Sequence, residues 1–596
     1  MNIQGDLLSE IAEAFGNCFN HLIKKEDLSL QPTRKEFKGQ YTFVTFPFLR
    51  ITKSKPEDTG KVLGDYLMKN GNLVSDYNVV KGFLNLSIRP EIWKQLFLKG
   101  YKDEQFGKLP PKPRHFLIEY SSPNTNKPLH LGHLRNNFLG YATSQIYKAA
   151  GYNVTKVNLV NDRGIHICKS MLAYKKFGQG ETPESTGIKG DHLVGNYYVK
   201  FDQEYKKEIQ QLIAKGLSEK EAANEAPLII EARKILKAWE NNDTEIHALW
   251  KKMNQWVYDG FDVTYKRMGV DFDKTYYESE TYLLGKAIVD EGLEKSIFYR
   301  KDDGSVWADL SDEGLDEKLL LRADQTSVYI TQDLGTADLK YHDTHCDRSV
   351  YVVGNEQDYH FDVLFKLLKK LGRPYSDELY HLSYGMVDLP GGKMKSREGT
   401  VVDADDLIDE MIETARKHTE ELGKIEGLSD KQANELYEIL ALGALKYFLL
   451  KVDPKKRMLF NPEESIQFHG NTGPFIQYTH ARISALLRKA NEEKLEFDNP
   501  EFDKLEELDE SVISIIYMLN SYPQLVAEAA ENYSPSQIAQ FIYEVAKEYN
   551  RFYTEESIFK EPDEDKKLFK LAFSKQVSRT IRLAMDLLGI QVPERM

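Results

Sequence analysis

A chain of 596 residues is too long for one core, and its 41% hydrophobic and 29% charged residues describe an ordinary globular protein of roughly three or four domains. The net charge of −14 excludes a general polyanion binder, because nonspecific affinity for nucleic acid rests on excess lysine and arginine; such a partner would be held on local basic patches. Cys18, Cys168 and Cys346, far apart and odd in number, exclude a disulfide framework and a cysteine-rich zinc site and fit a reducing cytoplasm.

The start, Met1-Asn2-Ile3-Gln4-Gly5-Asp6, has no basic stretch leading into an apolar core, and no apolar run reaches the about 18 residues of a membrane span. Neither export nor anchoring is expected. To about Phe106 the pattern predicts a small α+β unit: an amphipathic helix carrying Leu7, Leu8, Ile11, Phe15 and Phe19, strands at 41–48 and 79–88, and a helix around 62–68. Phe83, within Lys81-Gly82-Phe83-Leu84-Asn85, is either a core aromatic or a base-stacking one. Leu109-Pro110-Pro111-Lys112-Pro113 is a stiff linker at a domain boundary.

Phe116 to Tyr120 is a short β-favouring run, and Phe138, Ala142, Ile146 and Ala149 recur at helical spacing until Gly151. Between them runs Ser121-Ser122-Pro123-Asn124-Thr125-Asn126-Lys127-Pro128-Leu129-His130-Leu131-Gly132-His133-Leu134-Arg135. The unit reads strand, polar loop, helix. In an open parallel sheet such a loop lies at a strand's carboxyl end, where ligands bind and the first helical N–H groups attract anions. His130 and His133 can donate to phosphate oxygens from one turn, with Gly132 admitting a ligand close to the backbone; a pair of surface histidines is the bland alternative.

A second β-rich run at 153–159 completes a βαβ unit and ends at Asn161-Asp162-Arg163-Gly164. From about 182 to 282 the chain turns helical and charged, with Trp239, Trp250 and Trp256 assigned to core packing. The sheet is expected to resume at Ser305-Val306-Trp307-Ala308 and then over Ser327 to Ala337. If a helix begins at Tyr329, then Tyr329 and Asp333 share a face; otherwise they are a cap and a surface acid. Residues 349–354 form a buried-type strand ending at Asn355-Glu356-Gln357-Asp358-Tyr359-His360, where His360 is either functional or a satisfied helix-start histidine. Glycines bracket the basic run in Gly391-Gly392-Lys393-Met394-Lys395-Ser396-Arg397-Glu398-Gly399, a loop that either folds over phosphates or is merely solvated. Beyond Asp405 almost everything is helical and reads as a bundle, with local positive charge at Lys446, Lys451, Lys455, Lys456 and Arg457.

The run from Ser121 to Arg135 resembles the ATP-binding signature of class I aminoacyl-tRNA synthetases, and its Ser-Pro-Asn-x-x-Lys lead-in resembles arginyl-tRNA synthetases in particular. Tyr329-x-Thr331-x-Asp333 is similar to that family's arginine-recognition element, and Lys393-Met394-Lys395-Ser396 to the class I phosphate loop, with Ser396 where a second lysine is usual. The resemblance implies a multidomain α/β protein: an N-terminal α+β tRNA-binding domain (1–108), a class I Rossmann-type parallel-sheet catalytic domain (109–403) with a helical insertion at 182–282, a connector (404–470) and an all-α anticodon-binding domain (471–596). It implies ATP contacts at Pro123, Asn124, Lys127, His130, Gly132, His133, Met394 and Ser396, with His130, His133, Lys127, Lys393 and Lys395 acting in catalysis. It implies arginine contacts at Glu119, Asn124, Tyr329, Asp333 and Gln357, and tRNA contacts at Phe83, Asn85, Gln477, Tyr478, Arg482 and Met596.

The implied activity is ATP-dependent formation of arginyl-adenylate and transfer to the 3′ end of tRNA(Arg). Magnesium accompanies ATP with no dedicated metal site, and the expectation is a cytoplasmic monomer without a membrane partner. A guanidinium is planar and permanently charged, so acids at Asp333 and Glu119 suit it. Lys127, three residues before His130, is the candidate for a cation fixed on the rigid side of the site, in place of the lysine missing at Ser396. Two other readings stay open: a tRNA-binding relative without catalysis, which would be expected to lose the histidines or the arginine-site acids, and a different class I enzyme, which would lack Tyr329 and Asp333 or the helical C-terminal part.

Overall fold

Short β-favouring runs followed by amphipathic helices set the course of the chain, which the computed structural model describes at residues 3–34, 36–389, 402–421, 427–498, 505 and 508–596. It divides into two units. One comprises Met1–Gly107, Ile483–Gln524 and Glu544–Thr580, the other Lys108–Arg482, Leu525–Tyr543 and Ile581–Met596. Residues 471–596 contribute to both units.

In the first unit, α1 (Ile3–Phe19) and α2 (Pro56–Asn70) accompany a four-stranded antiparallel sheet of β1 (Leu30–Pro32), β2 (Tyr41–Val44), β3 (Val74–Val80) and β4 (Phe83–Ile88), in the order β1-β2-β4-β3. Phe15 of α1 packs on Phe43 and Phe48, centroids 6.0 and 5.2 Å away. The strand expected at 79–88 is instead a hairpin. Lys81 and Gly82 both lie in the left-handed region, φ +49° and +79°, as a two-residue turn between twisted antiparallel strands requires. The turn makes Phe83 the first residue of β4, where its ring meets the exposed Phe46 edge-on at 5.9 Å. The helix α3 (Pro90–Lys102) buries Trp93 against Tyr517.

The second unit is built on a five-stranded, wholly parallel sheet. Its strands are β5 (His115–Glu119), β6 (Asn153–Val160), β7 (Lys274–Tyr277), β11 (Arg348–Gly354) and β12 (Leu379–Tyr384), ordered β12-β11-β5-β6-β7. The near-continuous apolar runs of β5 and β11 suit strands covered on both faces. The helix α4 (Leu131–Ala149) makes the crossover from β5 to β6, and Gly140 lets it approach: a Cβ there would lie 2.3 Å from the ring of Tyr120. Between β6 and β7 come α5 (Ile165–Phe177), α6 (Gly190–Ala214), α7 (Pro227–Glu240) and α8 (Thr244–Met268).

Two expectations are corrected. The stretch at 305–308 does not rejoin the parallel sheet: β8 (Phe298–Arg300), β9 (Val306–Ala308) and β10 (Lys318–Leu321) form a separate antiparallel sheet of three. Nor is Tyr329-Ile330 a strand, since α9 (Tyr329–Thr344) begins there. The expected helical insertion also ends early, because residues 274–277 pair with β6 as the sheet edge. After β11 come α10 (Asp358–Lys370) and, beyond β12, the short strand β13 (Val387–Asp388), then α11 (Ala404–Glu421), α12 (Asp430–Leu450), β14 (Met458–Leu459), which pairs with β13, and α13 (Gly473–Glu492). Among the described residues no helix is long and apolar enough to cross a membrane.

Asp162 fastens the insertion to the sheet. Its carboxylate accepts from the Ser279 N–H (2.8 Å), the Ser279 hydroxyl (2.7 Å) and the Tyr258 hydroxyl (2.8 Å), and its carbonyl accepts from Trp250 (2.7 Å) and Asn254 (3.2 Å). Trp239, Trp250 and Trp256 pack among helices, as expected. Replacing Asp162 by Ala strands buried donors, so denaturant unfolding should show a loss of about 2–4 kcal/mol; a loss below about 0.5 kcal/mol, ordinary for a surface substitution, would contradict this role.

Candidate active site

The signature runs off the end of β5 and stays beside β6: the Asn161 N–H donates to Pro123 O (2.9 Å) and the Thr125 N–H to Asn161 O (3.1 Å). It then turns into α4 at His130, which is extended (φ −137°, ψ 175°) and caps the helix. The Gly132 N–H donates to Nδ1 of His130 (3.2 Å), and the His130 N–H donates to Nδ1 of His133 (3.1 Å). Both Nδ1 atoms are acceptors, so each neutral ring carries its proton on Nε2. Burial, then the nearby charge of Lys127, brings His130 down to about 4, and burial, His130 and Lys127 hold His133 well below the usual imidazole range. At neutral pH the pair presents two N–H donors rather than two cations. Burial also lowers Lys127, a half-buried residue of the same loop.

Residues on both sides of 390–401 are fixed to this element. Arg135, 1% exposed, donates to the carbonyls of Gly385 (2.5 Å), Met386 (3.4 Å), Pro454 (3.1 Å) and Lys456 (2.9 Å). On the other side the Leu131 N–H donates to Val402 O (3.1 Å) and the Ala404 N–H to Leu129 O (2.9 Å), pairing 402–404 antiparallel to the signature. The expected phosphate-loop residues Lys393, Met394, Lys395 and Ser396 lie outside the described residues.

The insertion reaches the same place. A Cβ on Gly195 of α6 would stand 3.0 Å from Pro128 Cδ, a tight approach, so the glycine eases the close packing of α6 on the Lys127-Pro128 turn. At the start of α6, Lys189 donates to Asp191 (3.0 Å), Asp405 (2.5 Å) and Thr264 (2.6 Å), and Nε2 of His192 bonds Asp405 at 3.3 Å. Asp191, His192 and Asp405 bring three potential metal ligands within 4.8 Å of one another, yet the Lys189 ammonium already bonds both acids, so the trio reads as an ion-pair clamp. Although burial opposes it, His192 and Lys189 hold Asp405 below the usual carboxylate range, and the bond to Asp405 raises His192.

The expected arginine-binding residues gather at the carboxyl edge of β5 and β11 and along α9. Asn124 and Gln357 are exposed there. Tyr329, 76% exposed, opens α9, and Asp333 lies one turn on, its Oδ2 2.6 Å from Nε2 of His360, the histidine left open by the sequence. Glu119 is buried and its Oε2 accepts from Lys340 at 2.5 Å. Burial pushes the carboxyl of Glu278 up to about 7, with Asp162 and Asp333 adding to the rise and Arg163 opposing it. Lys340, Glu278 and Gly195 were not singled out by motif, because nothing local marks them, whereas His360 was left open and Arg135 stood in the signature without a role of its own.

Two of the expected tRNA contacts are buried within the chain. Asn85 is 1% exposed, accepting from Thr42 (2.6 Å) and donating to Asn78 (2.8 Å), so it braces β4 under Phe83. Gln477 is fully buried and donates to Ile439 O (3.0 Å) and Gln591 O (2.8 Å). With His480 on Pro593 O (3.0 Å) and Lys446 on Gly589 O (2.5 Å), it ties down the C-terminal tail that carries Met596. Tyr478 and Arg482, one turn apart on α13, are half-buried, the guanidinium 4.8 Å from the ring centroid.

The clamp gives a signed pH dependence. A histidine whose folded pKa is raised contributes in full below its unfolded value near 6.5, and the contribution is lost as pH rises through the folded value. The stability difference between the parent and His192→Gln, from unfolding curves, should therefore be full below about pH 6 and shrink as pH rises through the raised folded value. A difference that stays constant or grows would contradict the assignment.

Residues 98–461 match the family model described as tRNA synthetases class I (R), catalytic domain, and residues 476–596 the DALR anticodon binding domain. The arginine–tRNA ligase of Amoebophilus asiaticus is 59% identical over 596 residues, and that of Bacteroides fragilis 54% identical over 599, each covering 100% of both chains. The fold is that of the Thermus thermophilus arginyl-tRNA synthetase, with a TM-score of 0.78 at 24% identity over 100% of both chains. With a catalytic model spanning more than half its length and relatives this similar end to end, the chain belongs to the arginyl-tRNA synthetases, a class I family.

Proposed function

We propose that this protein activates L-arginine with ATP and transfers the arginyl group to the 3′ end of tRNA(Arg). The observation that carries the reading is the placement of Asp333 and Glu119 in the unit whose signature turn holds His130 and His133 as neutral donors. An arginine carboxylate oxygen attacks the α-phosphorus of ATP, and the bond to the bridging oxygen of pyrophosphate breaks. Charge grows on the phosphate oxygens, where the Nε2–H groups of His130 and His133 and the ammonium of Lys127 stabilise it, a preorganised donor being worth on the order of 100-fold in rate. Magnesium travels with ATP and shields its phosphates. A hydroxyl of the terminal adenosine of the tRNA then attacks the carbonyl carbon of the adenylate and releases AMP, its proton passing to solvent.

Pro123, Asn124 and Gly132 line the ATP side of this reading, and Lys393, Met394, Lys395 and Ser396 complete it from the loop. The guanidinium takes Asp333 and Glu119, with Tyr329 beside it and Asn124 and Gln357 at the other end of the amino acid. Phe83, on the aromatic pair with Phe46, meets the tRNA elbow, while Tyr478, Arg482 and Met596 meet splayed anticodon bases.

ATP–pyrophosphate exchange with each standard amino acid, with and without tRNA, tests the reading, and arginine alone should support exchange. Asp333→Asn keeps the shape and removes the charge, so the KM for arginine should rise about 100-fold while that for ATP moves little; equal changes would move Asp333 out of the pocket. Deleting Pro593 to Met596 should weaken tRNA binding at least about tenfold in a filter or gel assay and leave ATP affinity unchanged. Unaltered tRNA affinity in the folded truncation would make the tail purely structural.

A further inference from the structure

The carboxylates that the arginine reading needs are not free in the chain: each already has a basic partner. Asp333 bonds His360, and Glu119 bonds Lys340. The second pair differs from the first in being enclosed, with side chains 7% and 4% exposed against 35% and 27% for the first. Lys340 lies seven residues after Asp333 on α9, so the two share one stripe of the helix, which runs from the exposed Tyr329 through Asp333 to the buried Lys340. Its ammonium also sits 4.4 Å from the ring centroid of Tyr351, whose backbone is the register partner of Glu119 across β11 and β5. The described hydrogen bonds engage Oε2 of Glu119 alone.

We propose that Lys340 is a positioning residue for substrate selection: it gives the buried Glu119 a cationic partner at Oε2 and turns the carboxylate so that Oε1 remains for the guanidinium. The proposal deepens the arginine reading and rests on it. A carboxylate enclosed to the degree of Glu119 is costly to leave without a cationic partner. Lys340 already pairs with Glu119 and His360 with Asp333, so a substrate cation enters a group of two acids and two basic partners. A guanidinium can reach both acids through its fork of N–H groups, whereas a substrate ammonium is a point charge that would meet the Lys340 ammonium beside Glu119. The other titratable and charged groups around the pair are Tyr276 of β7 with its partner Asp343, Tyr351 of β11, Cys346, and Asp333 and Asp338 on α9, with His360 of α10 on Asp333.

The test is the pH dependence of arginine kcat/KM in pyrophosphate exchange. In Lys340→Met the buried Glu119 loses its cation and takes up a proton, so the arginine KM should rise about tenfold or more near pH 7, with the ATP KM within about twofold. The profile should gain a limb that ascends with pH and that the parent lacks. Lys340→Arg should keep the parent profile. Glu119→Gln/Lys340→Met, which removes both charges and holds the volume, should lose arginine affinity without the new limb, and guards against reading a folding defect as chemistry. An unchanged profile in Lys340→Met, or equal losses for arginine and ATP, would overturn the role. Absence of arginine-dependent exchange in the parent would overturn the substrate reading itself, and this proposal with it.

Discussion

Two backbone N–H groups held by imidazole nitrogens are the interaction on which the site depends. At the start of a helix the first N–H groups have no partner inside the helix. Here the ring of His130 takes the one from Gly132 and the ring of His133 takes the one from His130. The bonds that finish the helix also fix the tautomer of both rings, and burial beside Lys127 keeps them uncharged. Structure and chemistry are therefore set together: a substitution that loosens the cap also scrambles the donors.

The rest of the second unit secures that turn from three directions. Gly195 lets α6 press on the Lys127-Pro128 corner, Arg135 gathers four carbonyls from 385–386 and 454–456, and 402–404 pairs with the signature backbone. Buried guanidinium groups are costly unless satisfied, and Arg135 meets that condition with carbonyl acceptors alone, which makes it a rivet between segments rather than a ligand for phosphate. The insertion is thus part of the catalytic frame, joined to it at Asp162 and at the Lys189 clamp.

Much of this was legible in the sequence wherever the information is local. The change from strand to helix periodicity located β5, the signature and α4, and the spacing of Tyr329 and Asp333 placed them on one face of a helix that does begin at Tyr329. The hairpin at Lys81-Gly82 escaped because the apolar run continues on both sides of a turn lacking the Asn-Gly signal. The separate antiparallel sheet at 298–321 escaped because strand propensity does not say which sheet a strand joins. Asn85 and Gln477 matched a motif, but a motif does not fix which way a side chain points. Lys340 pairs with a residue 221 positions away, Lys189 with one 216 away, and Arg135 with carbonyls 250 to 321 away, so no window of sequence contains them.

The central claim, that the signature histidines act as neutral Nε2–H donors locked by their own helix start, is tested most directly by nitrogen-15 NMR of histidine-labelled protein, with His130→Gln and His133→Gln used for assignment. The account expects two rings that show a protonated Nε2 and an unprotonated Nδ1 at neutral pH and that do not titrate between about pH 8 and pH 6. Imidazolium signals for His130 or His133 at neutral pH, or protons on Nδ1, would contradict it.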